Sequence, residues 1–281
     1  MKLTGANVLM DEPSGDFDAH VHVFERDLPF APGRRYTPTN SATLPMLSDN
    51  LRTIGLDGAL LVQPSFLGCD NSYMIEALEV GKNSDLTFRG VAVVSQDASE
   101  QELVDLAKAQ VIGLRLNLIK RDQIERFNIE DWSNVLSVAN TLGWHVELHC
   151  ESHDILSILP ALLDRCERIV IDHFGRPNQS APLECPGFKY LVGNRSGQLF
   201  VKVSAPYRVF PSSPTSALHN KAAPLFSELL SALGPSRLMW GSDWPWTQHE
   251  HLGLSYEKTR AWYSSWVNET QNDDGAQLSR D

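Results

Sequence analysis

Two kinds of hydrophobic pattern alternate along the chain. Short runs rich in apolar and β-branched residues occur at 16–24 (DFDAHVHVF), 58–66 (GALLVQPSF), 88–95 (FRGVAVVS) and 111–118 (VIGLRLNL). Four more follow at 144–151 (WHVELHCE), 169–175 (IVIDHFG), 199–206 (LFVKVSAP) and 238–245 (LMWGSDWP). Between them lie stretches with apolar residues at helical spacing, such as MIEALEVGK, ELVDLAKAQ, DWSNVLSVANTLG, DILSILPALLDRC and APLFSELLSALG. A strand followed by a helix, eight times over, predicts a parallel sheet, and eight is the number that closes a barrel. The predicted fold is therefore α/β, a (β/α)8 TIM barrel forming one domain over 1–281, with 1–15 and 271–281 as frayed peripheral tails. An open doubly wound sheet is the alternative. It would place a glycine-rich phosphate turn after its first strand. His20-Val21-His22 stands there instead, and the chain contains no G-x-G-x-x-G.

Composition narrows the function. The 281 residues suit one barrel, and a formal charge of −11 argues against nonspecific binding to nucleic acid or anionic membranes. That charge does not exclude a small anionic substrate, because a few arginines can reverse the field inside one cleft. Cys69, Cys150, Cys166 and Cys185 are widely spaced with no C-x-x-C, which favours reduced thiols over a disulfide framework. The N-terminus lacks the apolar run of a signal peptide, and no stretch is long enough to span a bilayer. A cytoplasmic protein is expected, and its oligomeric state is not legible.

Buried barrel strands should be apolar, so polar residues near their C-terminal ends carry information. His20 and His22 lie two apart on the first run and share a side. Ser65 falls in the second run, Arg115 in the fourth, His149 in the fifth, His173 in the sixth, Lys202 in the seventh and Asp243 in the eighth; Arg176, Tyr207 and Arg208 fall in loops. Singly, each has a plain structural alternative. The H-x-H pattern recurs at His249 and His251, Asp243 could be a helix N-cap, and Lys202 could be solvated or snorkelling. His145, four residues before His149, reads as structural. Arg121, in a turn, is of a kind more often found on the surface. The weight comes from the set, whose members converge on one barrel mouth.

These segments resemble the amidohydrolase superfamily: D-A-H-V-H-V-F on the first strand, I-D-H-F-G on the sixth, W-G-S-D-W-P on the eighth. R-Y-T-P at 35–38, V-Q-P-S at 62–65, C-D-N at 69–71 and R-L-N-L-I-K-R at 115–121 are similar to its 2-pyrone-4,6-dicarboxylate lactonase branch. The resemblance implies that His20, His22 and His173 surround a lactone carbonyl and that Asp243 is the base. It further implies that Tyr36, Ser65, Arg115, Arg121 and Arg208 hold substrate carboxylates, with His149 and Gln248 also against the substrate. Three positions, in two places, depart from that lactonase. It has tyrosine at His149, and histidine and asparagine at Trp246 and Gln248.

The expected reaction is hydrolysis of a small anionic lactone by Asp-activated water, with no cofactor required. The alternatives are a zinc-dependent hydrolase or decarboxylase, or a sugar-acid lactonase, on the same scaffold. If a divalent ion such as zinc is used, His20, His22, His149, His173 and Asp243 are its candidate ligands. A non-catalytic barrel binding a small acid is the remaining reading, and it leaves a carboxylate beside an anionic ligand without purpose.

Overall fold

The computed structural model describes residues 1–12 and 14–278. Eight parallel strands form one sheet in sequence order: β1 (Phe17–Val21), β2 (Gly58–Val62), β3 (Thr87–Ala92), β4 (Val111–Asn117), β5 (His145–His149), β6 (Ile169–Ile171), β7 (Leu199–Ser204) and β8 (Leu238–Gly241). The protein is a single (β/α)8 barrel. Along β1, β2, β5, β7 and β8 every residue is buried, as expected where one strand face meets the helices and the other fills the interior.

Closure falls at the mouth. The Asp243 amide donates to the His20 carbonyl and the His22 amide to the Trp244 carbonyl, each at 2.9 Å. The segments carrying the His-Val-His and Ser-Asp-Trp-Pro sequences are thus stitched together by backbone bonds just beyond β1 and β8.

The first fifteen residues depart from the frayed end expected of them. Gly5–Met10 is a helix, and its Ala6, Leu9 and Met10 pack on Phe17, Val170, Phe200 and Met239 at the barrel floor. Glycine is needed where this helix meets β8, because a Cβ on Gly5 would lie 2.6 Å from the Leu238 carbonyl oxygen. This plug buries the apolar lower interior and leaves the upper end for polar chemistry. At the other terminus, the helix Tyr256–Leu278 runs through most of the predicted tail, and residues 279–281 lie outside the described residues.

Backbone strain is concentrated at the mouth. Of the nine non-glycine residues with positive φ among the described residues, seven follow β6, β7 and β8: His173, Phe174, Arg176, Ala205, Asp243, Trp246 and Gln248. Each such residue costs on the order of 1–3 kcal/mol and persists only where its surroundings over-determine it. His173 and Asp243, both expected in the site, are among them.

Candidate active site

Beyond β8, Asp243 is fully buried with its two oxygens in different surroundings. Oδ2 accepts from the Tyr207 hydroxyl at 2.5 Å and from Arg208 Nε at 2.7 Å. Oδ1 has no hydrogen-bond partner among the described residues, and lies 3.6 Å from His20 Nε2 and 3.7 Å from His22 Nε2. Burial opposes ionisation of this carboxyl, but Arg208 and the imidazoles of His173, His20 and His22 outweigh it and hold it well below the usual carboxylate range.

The histidines are dry. Burial pushes His22 down to about 4 and His173 down to about 3, despite the nearby Asp243 carboxylate. His20 and His149 are lowered well below the ordinary histidine value for the same primary reason, with Lys202 and Arg115 respectively adding to it. All four are neutral at neutral pH. His22 Nδ1 bonds the Val62 carbonyl at 2.7 Å, His173 Nδ1 bonds Ser204 Oγ at 2.8 Å, and His149 Nδ1 lies 3.1 Å from Arg115 Nη2.

Beneath them runs a charged layer that the sequence reading only half found. Arg115 Nη2 donates to Asp172 Oδ2 at 2.6 Å, and Arg115 Nε lies 3.3 Å from Glu147 Oε1. Lys202, fully buried rather than snorkelling, is bonded to Glu147 and sits 3.6 Å from Asp172. Burial, then the Asp172 charge, pushes the Glu147 carboxyl up to about 7. Asp172 is held well below the usual range because His20, Arg115 and Lys202 overcome its burial. Glu147 and Asp172 were not singled out from sequence. Glu147 is the acidic residue between His145 and His149 in a strand otherwise apolar, and that was the available signal.

Above the histidines, His22, His149, His173, Arg208 and Asp243 line a chamber with about 20 Å³ for the centre of a water-sized sphere. That is room for about one water. Ser65, Gln248 and Thr247 complete its wall. Arg35, Ser65, Arg115 and Asn117 also line an outer cleft of about 330 Å³, whose rim carries Arg34 and Lys120. The cleft is large enough for a small ring compound and rich in cations.

The expected site residues therefore fall into two sets. His20, His22, Ser65, Arg115, His149, His173, Arg208, Asp243 and Gln248 surround or support the chamber. Arg121 and Tyr36 do not reach it. Arg121 is exposed on the helix Arg121–Arg126, paired with Glu125 at 3.2 Å and Asp154 at 3.1 Å. Tyr36 turns aside, its hydroxyl bonded to Glu250, in a separate hollow with Phe24 and Trp246. Its neighbour Arg35 faces the chamber instead. Arg35 has no hydrogen bond or ion pair among the described residues, and partial burial, then Arg208, Arg115 and Arg176, lowers its guanidinium to about 10. A cation crowded by cations, with only Glu151 acting on it from a distance and no ion pair among the described residues, suits an anionic ligand.

Two histidine–carboxylate triples are close enough to hold an ion: His20, Asp172 and His173, and His20, His22 and Asp243. Neither contains His149, whose Nδ1 lone pair is taken by Arg115. Asp243 Oδ2 already serves Tyr207 and Arg208, and both triples depend on His20, whose Nδ1 lies 3.0 Å from the Lys202 ammonium. Tyr207, Arg208 and Lys202 therefore compete for these donors, while Asp243 Oδ1 is unengaged among the described residues.

Such a barrel, with H-x-H at the end of its first strand, histidine after the sixth and aspartate after the eighth, defines a hydrolase of the amidohydrolase type. The chain belongs to the amidohydrolase family, whose model matches residues 17–270. It is 33% identical to 2-pyrone-4,6-dicarboxylate hydrolase of Comamonas testosteroni, over 83% of this chain and 77% of that one. It is 28% identical to 4-sulfomuconolactone hydrolase of Hydrogenophaga intermedia, over 83% and 75%. A probable 2-pyrone-4,6-dicarboxylic acid hydrolase of Acinetobacter baumannii, solved with citric acid bound, superposes with a TM-score of 0.81 at 32% identity, covering 92% of this chain and 95% of that one. No described helix is long and apolar enough to cross a membrane.

Proposed function

We propose that the chain opens the ring of a small lactone bearing two anionic groups, using a water activated by Asp243. The observation that carries this reading is the unpartnered Asp243 Oδ1 facing a one-water chamber that shares Arg35, Ser65, Arg115 and Asn117 with an arginine-lined cleft. Asp243 takes a proton from the water as its oxygen bonds the lactone carbonyl carbon. The tetrahedral centre then expels the ring oxygen, which receives that proton as the C–O bond breaks. Donors around the chamber stabilise the negative carbonyl oxygen.

Asp243 is ionised but a weak base while Arg208 and Tyr207 hold its other oxygen. A substrate carboxylate near Arg208 shares that guanidinium's field and raises the basicity of Asp243 when the ligand is in place. One anionic group of the substrate sits against Arg115 and Arg208. The second is taken by Arg35, with Ser65, His149 and Gln248 completing the contacts. Relatives named for a dicarboxylated and a sulfonated lactone support an anionic substrate class.

The reaction proceeds without a metal in this reading. The support is the donor set, with its occupied lone pairs and the cations Lys202, Arg115 and Arg208 around it. The test is ring opening by purified protein across dicarboxylated, sulfonated and neutral lactones, before and after chelation checked by elemental analysis. The expected preference for a doubly anionic lactone is about tenfold or more in kcat/KM, the scale of one charge-assisted bond, and chelation leaves it unchanged. No turnover of any anionic lactone contradicts the proposal. Activity lost with the metal and regained with zinc or manganese contradicts its metal-free part.

A further inference from the structure

Lys202 is a buried ammonium with no place in the reaction as derived so far. It projects from β7 into the barrel interior and is wholly shielded from solvent. Such a charge is costly to bury unless paired, and Glu147 and Asp172 supply the counter-charges. Its third neighbour is the informative one: His20 Nδ1, at 3.0 Å.

We propose that Lys202 is a positioning residue, which by donating to His20 Nδ1 locks that imidazole with its proton on Nε2, facing Asp243. An ammonium has three donors and no acceptor, so a nitrogen hydrogen-bonded to it must offer a lone pair. A neutral imidazole that accepts at Nδ1 carries its hydrogen at Nε2. Two observations agree. His20 Nε2 has no partner among the described residues and looks toward Asp243 Oδ1, 3.6 Å away. Asp172 Oδ1 lies 3.3 Å from His20 Nδ1 and has no hydrogen-bond partner among the described residues, whereas an Nδ1 carrying the proton and aimed at it would supply one.

The same device operates across the chamber. Arg115 Nη2, another group that can only donate, lies against His149 Nδ1 and sets its proton on Nε2, which is likewise unpartnered. His22 is set the opposite way, because the Val62 carbonyl can only accept from Nδ1 and leaves the Nε2 lone pair free. The chamber wall thus carries an N–H of His149 and a lone pair of His22, while the His20 N–H lies behind that wall and is directed at Asp243 Oδ1. His20 becomes a donor that fixes the Asp243 carboxylate facing the chamber and is removed from the role of base. The lock also takes the His20 lone pair that both possible metal triples need. The catalytic consequence rests on the lactonase reading above; the tautomer does not.

The test is the two-bond ¹H–¹⁵N pattern of His20 in full-length protein labelled at histidine, assigned with His20→Asn. It is recorded without substrate in the wild type and in Lys202→Met. Because Lys202→Met takes one of the two cations from Glu147 and Asp172 and leaves only Arg115, Lys202→Met/Glu147→Gln is measured beside it, with folding checked by circular dichroism. The wild type is expected to show the proton on Nε2, and the double variant to move it to Nδ1, donating to Asp172. The variant's kcat for the best lactone should fall at least ~10-fold with KM within about twofold, the split of a group that acts through the base and not on substrate binding. A wild-type His20 protonated on Nδ1, or on both nitrogens, overturns the lock. So does a folded double variant that keeps Nε2–H and full kcat. A chain that opened no lactone yet showed the tautomer switch would remove the lactonase reading and leave the lock standing.

Discussion

Asp243→Asn is expected to lower kcat by at least ~10²-fold, the usual scale for a lost acid or base, in a protein that still folds. The amide preserves shape and can still meet Tyr207 and Arg208 through its oxygen, so the scaffold at the mouth survives. What is lost is the carboxylate oxygen facing the one-water chamber. A neutral amide there cannot take a proton from water at any accessible pH. Steady-state kinetics on the best lactone, beside circular dichroism of the same sample, decides the matter. A folded variant with near-wild-type turnover would show that another group activates the water, and His22, with its free Nε2 lone pair, would be the next to examine.

The second large effect separates three arginines that the sequence placed near one mouth. Arg115 is almost wholly buried against Glu147 and Asp172, so Arg115→Met removes one of the two cations that compensate these carboxyls in the core and leaves Lys202 alone between them. Breaking such a buried pair typically costs about 3–5 kcal/mol, which for a domain of this size lowers Tm on the order of 10 °C. Arg121→Met removes an exposed pair with Glu125 and a part-buried one with Asp154, and because Arg121 itself is exposed it should change Tm little. Arg35 has no partner to lose, so Arg35→Gln should leave Tm unchanged while raising KM for a doubly anionic lactone about tenfold and sparing a neutral one. Thermal unfolding and KM for the three variants separate these roles. A large KM rise for Arg121→Met with none for Arg35→Gln would return the second anionic group to Arg121.

That reassignment illustrates what the sequence could and could not convey. All eight strands were legible, because in a barrel each is a short apolar run followed by a helical repeat. Their ends were less so. The runs ending at Pro245 and Gly175 read as strand to the last residue, yet β8 stops at Gly241 and β6 at Ile171. Asp243 and His173 sit just past those ends in left-handed conformations, where backbone strain rather than hydrophobic pattern fixes them. Periodicity carries no trace of that. His20, His22, Arg115 and Asp243 were found because a polar residue near a barrel strand's end stands out. Glu147 and Asp172 were passed over beside more conspicuous histidines, although they hold Arg115 and Lys202 in place. Arg35 and Tyr36 are adjacent, and only the course of the loop decides which faces the chamber. The N-terminal plug, six residues long, is too short to declare a helix by spacing.

The central claim is that water activated by Asp243 attacks the carbonyl of an anionic lactone directly. A single turnover in oxygen-18 water, with enzyme in excess and the product read by mass spectrometry, tests it most directly. The account predicts ring-opened product carrying one oxygen-18 atom in its new carboxylate from the first turnover onward. Unlabelled product in that first turnover, its new oxygen drawn from the Asp243 carboxylate, or no ring opening at all, would contradict it.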